Sequence, residues 1–381
     1  MTEGEEGKKK IAIVYHFFAH YRGPIIEEML NCKVNSYYFL AGDRVNSSYR
    51  NLKLYEFDTE DRFIRLKNIW FFKNFLWQPN LFKMLKQEKF DGVIFLGDWK
   101  FLSTWISIFL LRLNNTPTYF WSHGVRSRRR SLNNKLKLIF LKCFSHGGVV
   151  YDKLAKEIMK SSGFKKPICV IYNSLNYKMQ ERILNNLNIG ELKSPFYMEV
   201  NYVVFTGRLE QRKRLDILID AISLLKNKGL FVGALIIGDG DLKLKLIKRT
   251  EELAINDRVI FLGSCYDENS LANYFIKSIA CIIPDAVGLT AIHSLTYGTP
   301  IITNDSMGLH GPEIECVQDG VSGFFYKNDD PASLAERIEY LMLLPKEKRK
   351  IIGENGRRII SEHYNPEKQL AVMNNLLLKH K

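Results

Sequence analysis

The sequence predicts an α/β protein of two domains, each built on a doubly wound parallel sheet. Three observations carry that expectation. Short apolar runs alternate with helical patterns through both halves of the chain. At 381 residues the chain is too long for one ordinary core and fits two domains of roughly 190 residues each. Residues 280–304, ACIIPDAVGLTAIHSLTYGTPIITN, contain a whole strand, helix, strand unit. Within it, residues 280–284 form an apolar run bounded by proline. Leu289, Ile292 and Leu295 then recur at spacings of three on one helical face. Gly298 and Pro300 stop that helix, and PIIT begins the next parallel strand.

In order, residues 10–16 (KIAIVYH) predict the first strand, followed by the loop FFAHYRG. A helix starts at about Pro24, a residue suited to a first helical position. Residues 37–40 and 92–96 (GVIFL) predict strands, and a helix over 101–113 precedes the strand 117–122 (PTYFWS). Strands at 148–151 and 169–172 continue the pattern. Asn, Gly and charged residues cluster near 185–194, where a linker is expected. Beyond it, strand 202–206 runs into GRLEQRKRLD and a helix to about Asn227. Strand 234–237 ends in GDGD, whose acids suit a turn and a helix N-cap better than a metal site. A helix over 242–254, strand 259–262, the 280–304 unit, GFFY at 323–326 and two or three helices complete the chain. The expected domains are therefore 1–190 and 191–363, with a final helix over 364–381 that packs back toward the first domain.

Composition is that of a globular protein, 46% apolar and 25% charged. No apolar run reaches the ~20 residues of a spanning helix; the longest candidate, 101–111, ends at Arg112. The opening MTEGEEGKKK lacks the apolar core of a secretory signal, so none is expected there. Six cysteines without CxxC or metal spacing suggest buried free thiols in a reducing compartment. The net charge of +14 is unevenly placed: residues 1–190 hold 31 basic and 16 acidic residues, and residues 191–381 hold 24 and 25. Residues 101–150 contain no acid at all. A half so skewed suggests an anionic partner, although a solvated basic surface is the ordinary alternative. The run RSRRR at 126–130 has no interleaved aromatics, so an acceptor-side or membrane-surface role fits it better than nucleic acid.

A helix that begins past a strand's carboxyl end presents free N–H groups and a positive dipole end. Val287, Gly288, Leu289 and Thr290 occupy such a place, either as an anion site or as a plain strand–helix turn. Arg208 and Lys213, five positions apart after strand 202–206, could hold one diphosphate as fork and point charge, or could be solvated cations. His123 follows strand 117–122 beside Gly124, again at a carboxyl end.

Gly207-Arg208-Leu209, Lys213, Asp216, the GDG at 238–240 and the Gly288-Leu289 helix start resemble the retaining nucleotide-sugar glycosyltransferases of family four. The similarity is strongest over about 200–330. In the first half, Trp121-Ser122-His123-Gly124 and the loop before Gly23 match. The resemblance implies a GT-B fold, two Rossmann-like domains with parallel sheets facing a central cleft. It implies a cytoplasmic sugar transferase, without metal or cofactor, whose donor is a nucleotide-diphosphate sugar. The acceptor it implies is a glycan, on a lipid diphosphate at an anionic membrane surface in surface polysaccharide assembly; no nucleic acid is expected.

The resemblance also assigns roles. Arg208 and Lys213 would hold the donor pyrophosphate, with Gly288, Leu289 and Thr290 at the helix start. His123 would reach the sugar and the reaction centre, with a structural histidine as the alternative. Gly23 would stand near the diphosphate, although the family has two glycines there. The family's pair of acids, eight positions apart, falls on Asp285 and His293. Asp285 can still accept hydrogen bonds from sugar hydroxyls. His293 departs from the pattern, because an imidazole accepts one hydroxyl proton where a carboxylate takes two; it is either a ribose contact or a core histidine. Two other readings compete: another enzyme of the same fold, such as an epimerase or a phosphorylase, and a non-catalytic basic module that binds anionic lipid or nucleic acid.

Overall fold

The computed structural model describes residues 7–42, 53–57, 60–72, 74–127, 131–188, 194–196 and 200–378, without the side chain of Glu60. The chain forms two compact units, Met1–Leu175 with Pro366–Lys381, and Asn176–Asn365.

The N-terminal unit runs β1 (Lys9–Val14), α1 (Gly23–Leu30), β2 (Asn35–Gly42), β3 (Phe63–Leu66), β4 (Ile69–Phe71), β5 (Phe75–Trp77), α2 (Leu81–Glu88) and β6 (Gly92–Leu96). It continues through α3 (Leu102–Leu113), β7 (Thr118–Ser122), α4 (Leu132–Phe144), β8 (Gly147–Val150), α5 (Lys153–Ser161) and β9 (Ile168–Val170). Its described strands form a parallel sheet in the order β3-β2-β1-β6-β7-β8-β9. Side chains alternate across the pleat. Ile11 and Ile13 enter one core with Phe39 and Trp121, while Ala12 and Val14 enter the other with Phe95 and Phe120. β3, α2 and the antiparallel pair β4–β5 were not anticipated. Each of the paired strands has only three residues, too few to show a period of two.

The C-terminal unit runs α6 (Tyr177–Asn186), β10 (Tyr202–Thr206), α7 (Leu215–Asn227), β11 (Gly233–Ile237), α8 (Lys243–Glu252), β12 (Val259–Gly263), α9 (Glu268–Lys277) and β13 (Ala280–Ile283). Then come α10 (Leu289–Thr296), β14 (Ile301–Asn304), β15 (Gly323–Tyr326), α11 (Pro331–Leu343) and α12 (Lys346–His363). Its sheet is parallel in the order β12-β11-β10-β13-β14-β15. The strands are nearly continuous apolar runs, as burial under helices on both faces requires. Gly298, at φ +76°, ends α10 just past its cap Tyr297.

The last helix, α13 (Pro366–Leu378), belongs to the N-terminal unit. Met373, Leu376 and Leu377 enter its core beside Ile25, Ile26 and Met29. Asn374 Oδ1 accepts from Asn35 Nδ2 at 2.8 Å and from the Tyr37 hydroxyl at 2.6 Å. The division between units falls at 175/176, not at the expected 190/191. The reason is α6, which packs on α9 and α10, with Gln180 Nε2 donating to Glu268 at 3.1 Å. The expected linker lies partly outside the described residues, at 189–193.

Two smaller expectations are corrected. Asp239 and Asp241 do not cap α8: Leu242 is its N-cap, without a side-chain bond, and Asp239 closes its own turn onto the Gly240 N–H at 2.8 Å. Nor are all the cysteines buried. Cys32, Cys281 and Cys316 are, Cys169 and Cys265 are half-buried, and Cys143 is exposed; all six are free thiols.

Candidate functional site

In the C-terminal unit the expected residues gather where β10 and β13 end. β10 passes into Gly207 and Arg208, then into a short turn of helix, Gln211–Lys213, ahead of α7. The turn can lie this close to β11 because Gly238 has no side chain. At φ +144° a Cβ on it would stand 1.9 Å from the Gly207 carbonyl oxygen. Arg208 is 73% exposed and, among the described residues, its guanidinium pairs only with Glu210, at 3.4 Å. The Lys213 backbone N–H donates to the Glu210 carbonyl at 2.9 Å, and its ammonium has no hydrogen bond among the described residues. Burial, then the neighbouring Arg212, lowers its pKa, while Asp285 and Glu210 oppose the shift. Arg214 is different: it holds Asp216 at 3.1 Å and pairs with Asp329, so it ties α7 to the loop after β15.

α10 starts at Gly288, whose Cβ position meets only open space. No side chain caps this end, so the first N–H groups of the helix stay available. Thr290 leans back onto the Thr206 carbonyl at 3.5 Å. Asp285 sits in the loop before α10, near enough to Lys213 to feel its charge; its carboxylate has no hydrogen bond among the described residues. That loop is tied down from four sides. Asn304 Nδ2 donates to the carbonyls of Pro284 and Asp285, at 3.0 and 3.1 Å. The Tyr326 hydroxyl donates to Pro284 at 2.8 Å. The Val287 N–H donates to His310 Nδ1 at 3.2 Å, and the Gly311 N–H donates to the Val287 carbonyl at 2.8 Å. Because Nδ1 accepts, the proton of neutral His310 lies on Nε2, which donates to Asn304 O at 3.0 Å.

His293 is on α10 and half-buried. Its Nε2 lies 2.7 Å from Glu268 Oε1. The Tyr297 hydroxyl at 2.7 Å and Gln180 Nε2 at 3.1 Å donate to that same oxygen. Burial pushes the Glu268 pKa up, but the bonds from His293, Tyr297 and Gln180 win and hold it below the usual carboxylate value. A carboxylate cannot donate, so Nε2 carries the ring proton and Nδ1 is the acceptor of the neutral ring. His293 also lines a cavity of about 510 Å³ with Arg208, Gly238, Asp239, Cys265 and Tyr266. His293 is thus both bonded within its unit and open to this cavity. Glu268 was not foreseen; its one sequence signal was a place just after Asp267, the cap of α9.

His123 and Gly23 belong to the N-terminal unit. His123 stands past β7 in a cavity of about 400 Å³ at the carboxyl ends of β1, β6 and β7. One face of its ring packs on Tyr151, with centroids 4.6 Å apart. Desolvation, then the charges of Lys137, Arg22 and Arg126, draws its pKa down to about 4. Water at the exposed part of the ring screens some of that field, and the ring is neutral at pH 7. Gly23 opens α1 with ordinary helical angles. Its missing side chain makes room for Tyr55, whose ring a Cβ would meet at 2.9 Å. Its neighbour Arg22, which the sequence did not single out, is the one that lines the cavity. Of the run 126–130, Arg128, Arg129 and Arg130 lie outside the described residues. Arg126 pairs with Asp152, the cap of α5.

Residues 191–359 match the family model of glycosyl transferases group 1. The chain is 26% identical over 237 residues to CapM of Staphylococcus aureus, a capsular polysaccharide biosynthesis glycosyltransferase, covering 61% of this chain and 59% of that one. It is 23% identical over 208 residues to the N-acetyl-alpha-D-glucosaminyl L-malate synthase of Bacillus anthracis, covering 53% and 51%. The chain thus spans about half the length of the curated relatives it matches. Among solved structures it resembles a glycosyltransferase from Rickettsia africae, with a TM-score of 0.72, 18% identity and coverage of 98% of this chain and 100% of that one. It also resembles Anabaena HepE in complex with UDP, with a TM-score of 0.68, 15% identity and coverage of 97% and 100%. At such identities the likeness is one of fold. This chain has the GT-B fold, and its residues 191–359 are similar to the glycosyl transferases group 1.

Proposed function

We propose that the protein transfers a sugar from a nucleotide-diphosphate sugar to an acceptor glycan, with retention of anomeric configuration. One observation carries the proposal. Arg208, Lys213 and the uncapped start of α10 converge at the ends of β10 and β13, and the nearby Asp285 carboxylate has no hydrogen bond among the described residues. Arg208 as a fork, Lys213 as a point charge and the N–H groups of Gly288, Leu289 and Thr290 suit a diphosphate. They also suit the negative charge that grows on a departing nucleoside diphosphate, which this chain's own cations stabilise without a metal. Asp285 accepts from hydroxyls of the donor sugar. His293, its Nε2 engaged by Glu268, offers Nδ1 to one ribose hydroxyl. On the N-terminal side, His123 is a neutral hydrogen-bond partner for the transferring sugar, and Gly23 contributes the start of α1.

CapM's name, capsular polysaccharide biosynthesis, supports a place in surface polysaccharide assembly. So does the structural likeness to WaaB, a lipopolysaccharide outer core galactosyltransferase, with a TM-score of 0.67 and 17% identity. A lipid-linked acceptor at the inner face of the membrane has its own support. Leu102, Ile106, Phe109 and Leu113 form an exposed apolar stripe along α3, at spacings of four, three and four. Leu132 and Ile139 of α4 are exposed as well, among Lys135 and Lys142. No helix among the described residues is long and apolar enough to cross a membrane, so contact with it would be peripheral.

Thermal unfolding against a panel of nucleoside diphosphates and nucleotide sugars tests the donor site. A cognate nucleotide at 100 times its dissociation constant adds about 2.7 kcal/mol of stability. Arg208→Ala should abolish that gain and leave the ligand-free melt unchanged, because an exposed ion pair contributes about 0–1 kcal/mol. If no nucleotide shifts the melt, the donor site is refuted and the non-catalytic basic module becomes the better account. With donor and acceptor identified, the anomeric proton of the product reports retention directly.

A further inference from the structure

The N-terminal cavity holds a charge problem that the transferase proposal leaves unsolved. Its lining includes Arg22, Lys100 and Lys137, with Asp98 as the acid near them. Arg22 lies among aromatic rings: its guanidinium carbon is 5.0 Å from the centroid of Trp121, 5.1 Å from Tyr15 and 5.8 Å from Tyr151. Among the described residues its guanidinium makes one hydrogen bond, to the Tyr151 hydroxyl at 2.5 Å. None of the three cations has a carboxylate within ion-pair distance among the described residues. Asp98 is instead spent on a local turn, accepting from the Lys100 N–H at 3.1 Å.

Sinking a guanidinium among rings without a carboxylate is costly, and a second cation in the same recess adds repulsion. Burial lowers the Lys137 pKa, with Asp98 opposing. It also draws His16 down to about 3, helped by the charge of Arg22. Among the described residues of the unit no carboxylate pairs these cations, and most donors of the Arg22 fork are unused there. The cavity, about 400 Å³, is large enough for a sugar-sized group. It also opens between β1 and β6, where the strand order reverses and doubly wound sheets take their ligands.

We propose that this cavity binds an anionic group of the acceptor, a phosphate or a carboxylate, with Arg22 as a two-pronged donor, Lys137 as the second cation and His123 as a neutral partner. Assigning the anion to the acceptor rests on the transferase proposal; binding of the anion does not. The acceptor would then be a phosphorylated or uronic-acid-bearing glycan rather than a neutral one, and the pocket would select for that charge.

The test uses the full chain carrying Arg208→Ala, so that anions are not read at the donor site. Inorganic phosphate in one arm and glucuronate in the other are compared with chloride at equal ionic strength. One of the two should raise Tm by a few degrees at roughly ten times its dissociation constant, and the responding arm names the chemistry. Adding Lys137→Met should abolish the shift while keeping or raising the ligand-free Tm, because an unpaired cation has been removed. A structural lysine would behave in the opposite way. The proposal is overturned if neither anion exceeds chloride, if the shift survives Lys137→Met, or if Lys137→Met lowers the ligand-free Tm. Repeating the titration in the protein with Arg208 intact and saturated with UDP separates acceptor from donor. A phosphate shift that UDP abolishes would assign the cavity to the donor diphosphate and overturn the acceptor reading. The UDP shift, read on its own, judges the donor site independently of the anion result.

Discussion

Replacing His293 with glutamate would place there the acid that the resemblance to family-four glycosyltransferases leads one to expect, yet the surrounding structure argues that it should destabilise the site. Glu268 already holds a carboxylate 2.7 Å from His293 Nε2. His293→Glu removes a hydrogen bond to a charged group, worth about 1.5–3 kcal/mol. It also sets two carboxylates side by side. At 4 Å and an effective dielectric of 20 their repulsion is roughly 4 kcal/mol. Protonation of one acid limits that penalty, so the net loss should be about 3–5 kcal/mol. In a unit of this size it would lower Tm by roughly 10 °C. Glu268→Gln alone keeps an acceptor for His293 and Tyr297 and should lose only about 1–2 kcal/mol. Combined with His293→Glu it removes the repulsion, and its amide can donate to the new carboxylate. The double variant should therefore be more stable than His293→Glu by itself. Urea melts of all four proteins at pH 7 give the coupling energy. Wild-type stability for His293→Glu, or no rescue by Glu268→Gln, would refute the argument.

Three further outcomes follow from the same contacts. Because the folded Glu268 pKa is depressed, its stabilisation is present above the unfolded value of about 4.3 and is lost as pH falls through the lower folded value. The gap between wild type and Glu268→Gln should thus be full at pH 7 and close below roughly pH 4, as urea midpoints across that range would report. His310→Leu leaves the Val287 N–H and the Asn304 carbonyl without their partner in a buried site. It should lose about 2–4 kcal/mol in urea melts and weaken nucleotide binding by calorimetry, since it loosens the loop that carries Asp285 and Gly288. Gly238→Ala forces a Cβ against the Gly207 carbonyl at positive φ and should lose more than about 3 kcal/mol, read as a drop in urea midpoint.

Much of the architecture is legible in the sequence because a strand buried on both faces must be apolar, and its neighbours along the chain must turn. Gly92–Leu96, Tyr202–Thr206 and Gly323–Tyr326 are continuous apolar runs bounded by turn residues, and each is a strand with those limits. The carboxyl-end placement of Arg208, Lys213, His123 and the Gly288 helix start follows from the same logic, since a βα turn delivers whatever residues it contains to that edge of the sheet. What stayed hidden depends on partners distant in sequence. Glu268 and His293 are 25 positions apart, on two helices whose packing no periodicity encodes. Arg22 meets Tyr151 across 129 positions, so its having no carboxylate partner among the described residues is a property of three dimensions. His310 looks like any loop histidine until the fold brings Val287 and Asn304 to its two ring nitrogens. The sequence by itself determined the parallel α/β scaffold and which residues reach its carboxyl edge. Only the tertiary structure decided which of those residues are left with unspent charge or hydrogen-bonding capacity, because that depends on the groups that long-range packing places around them.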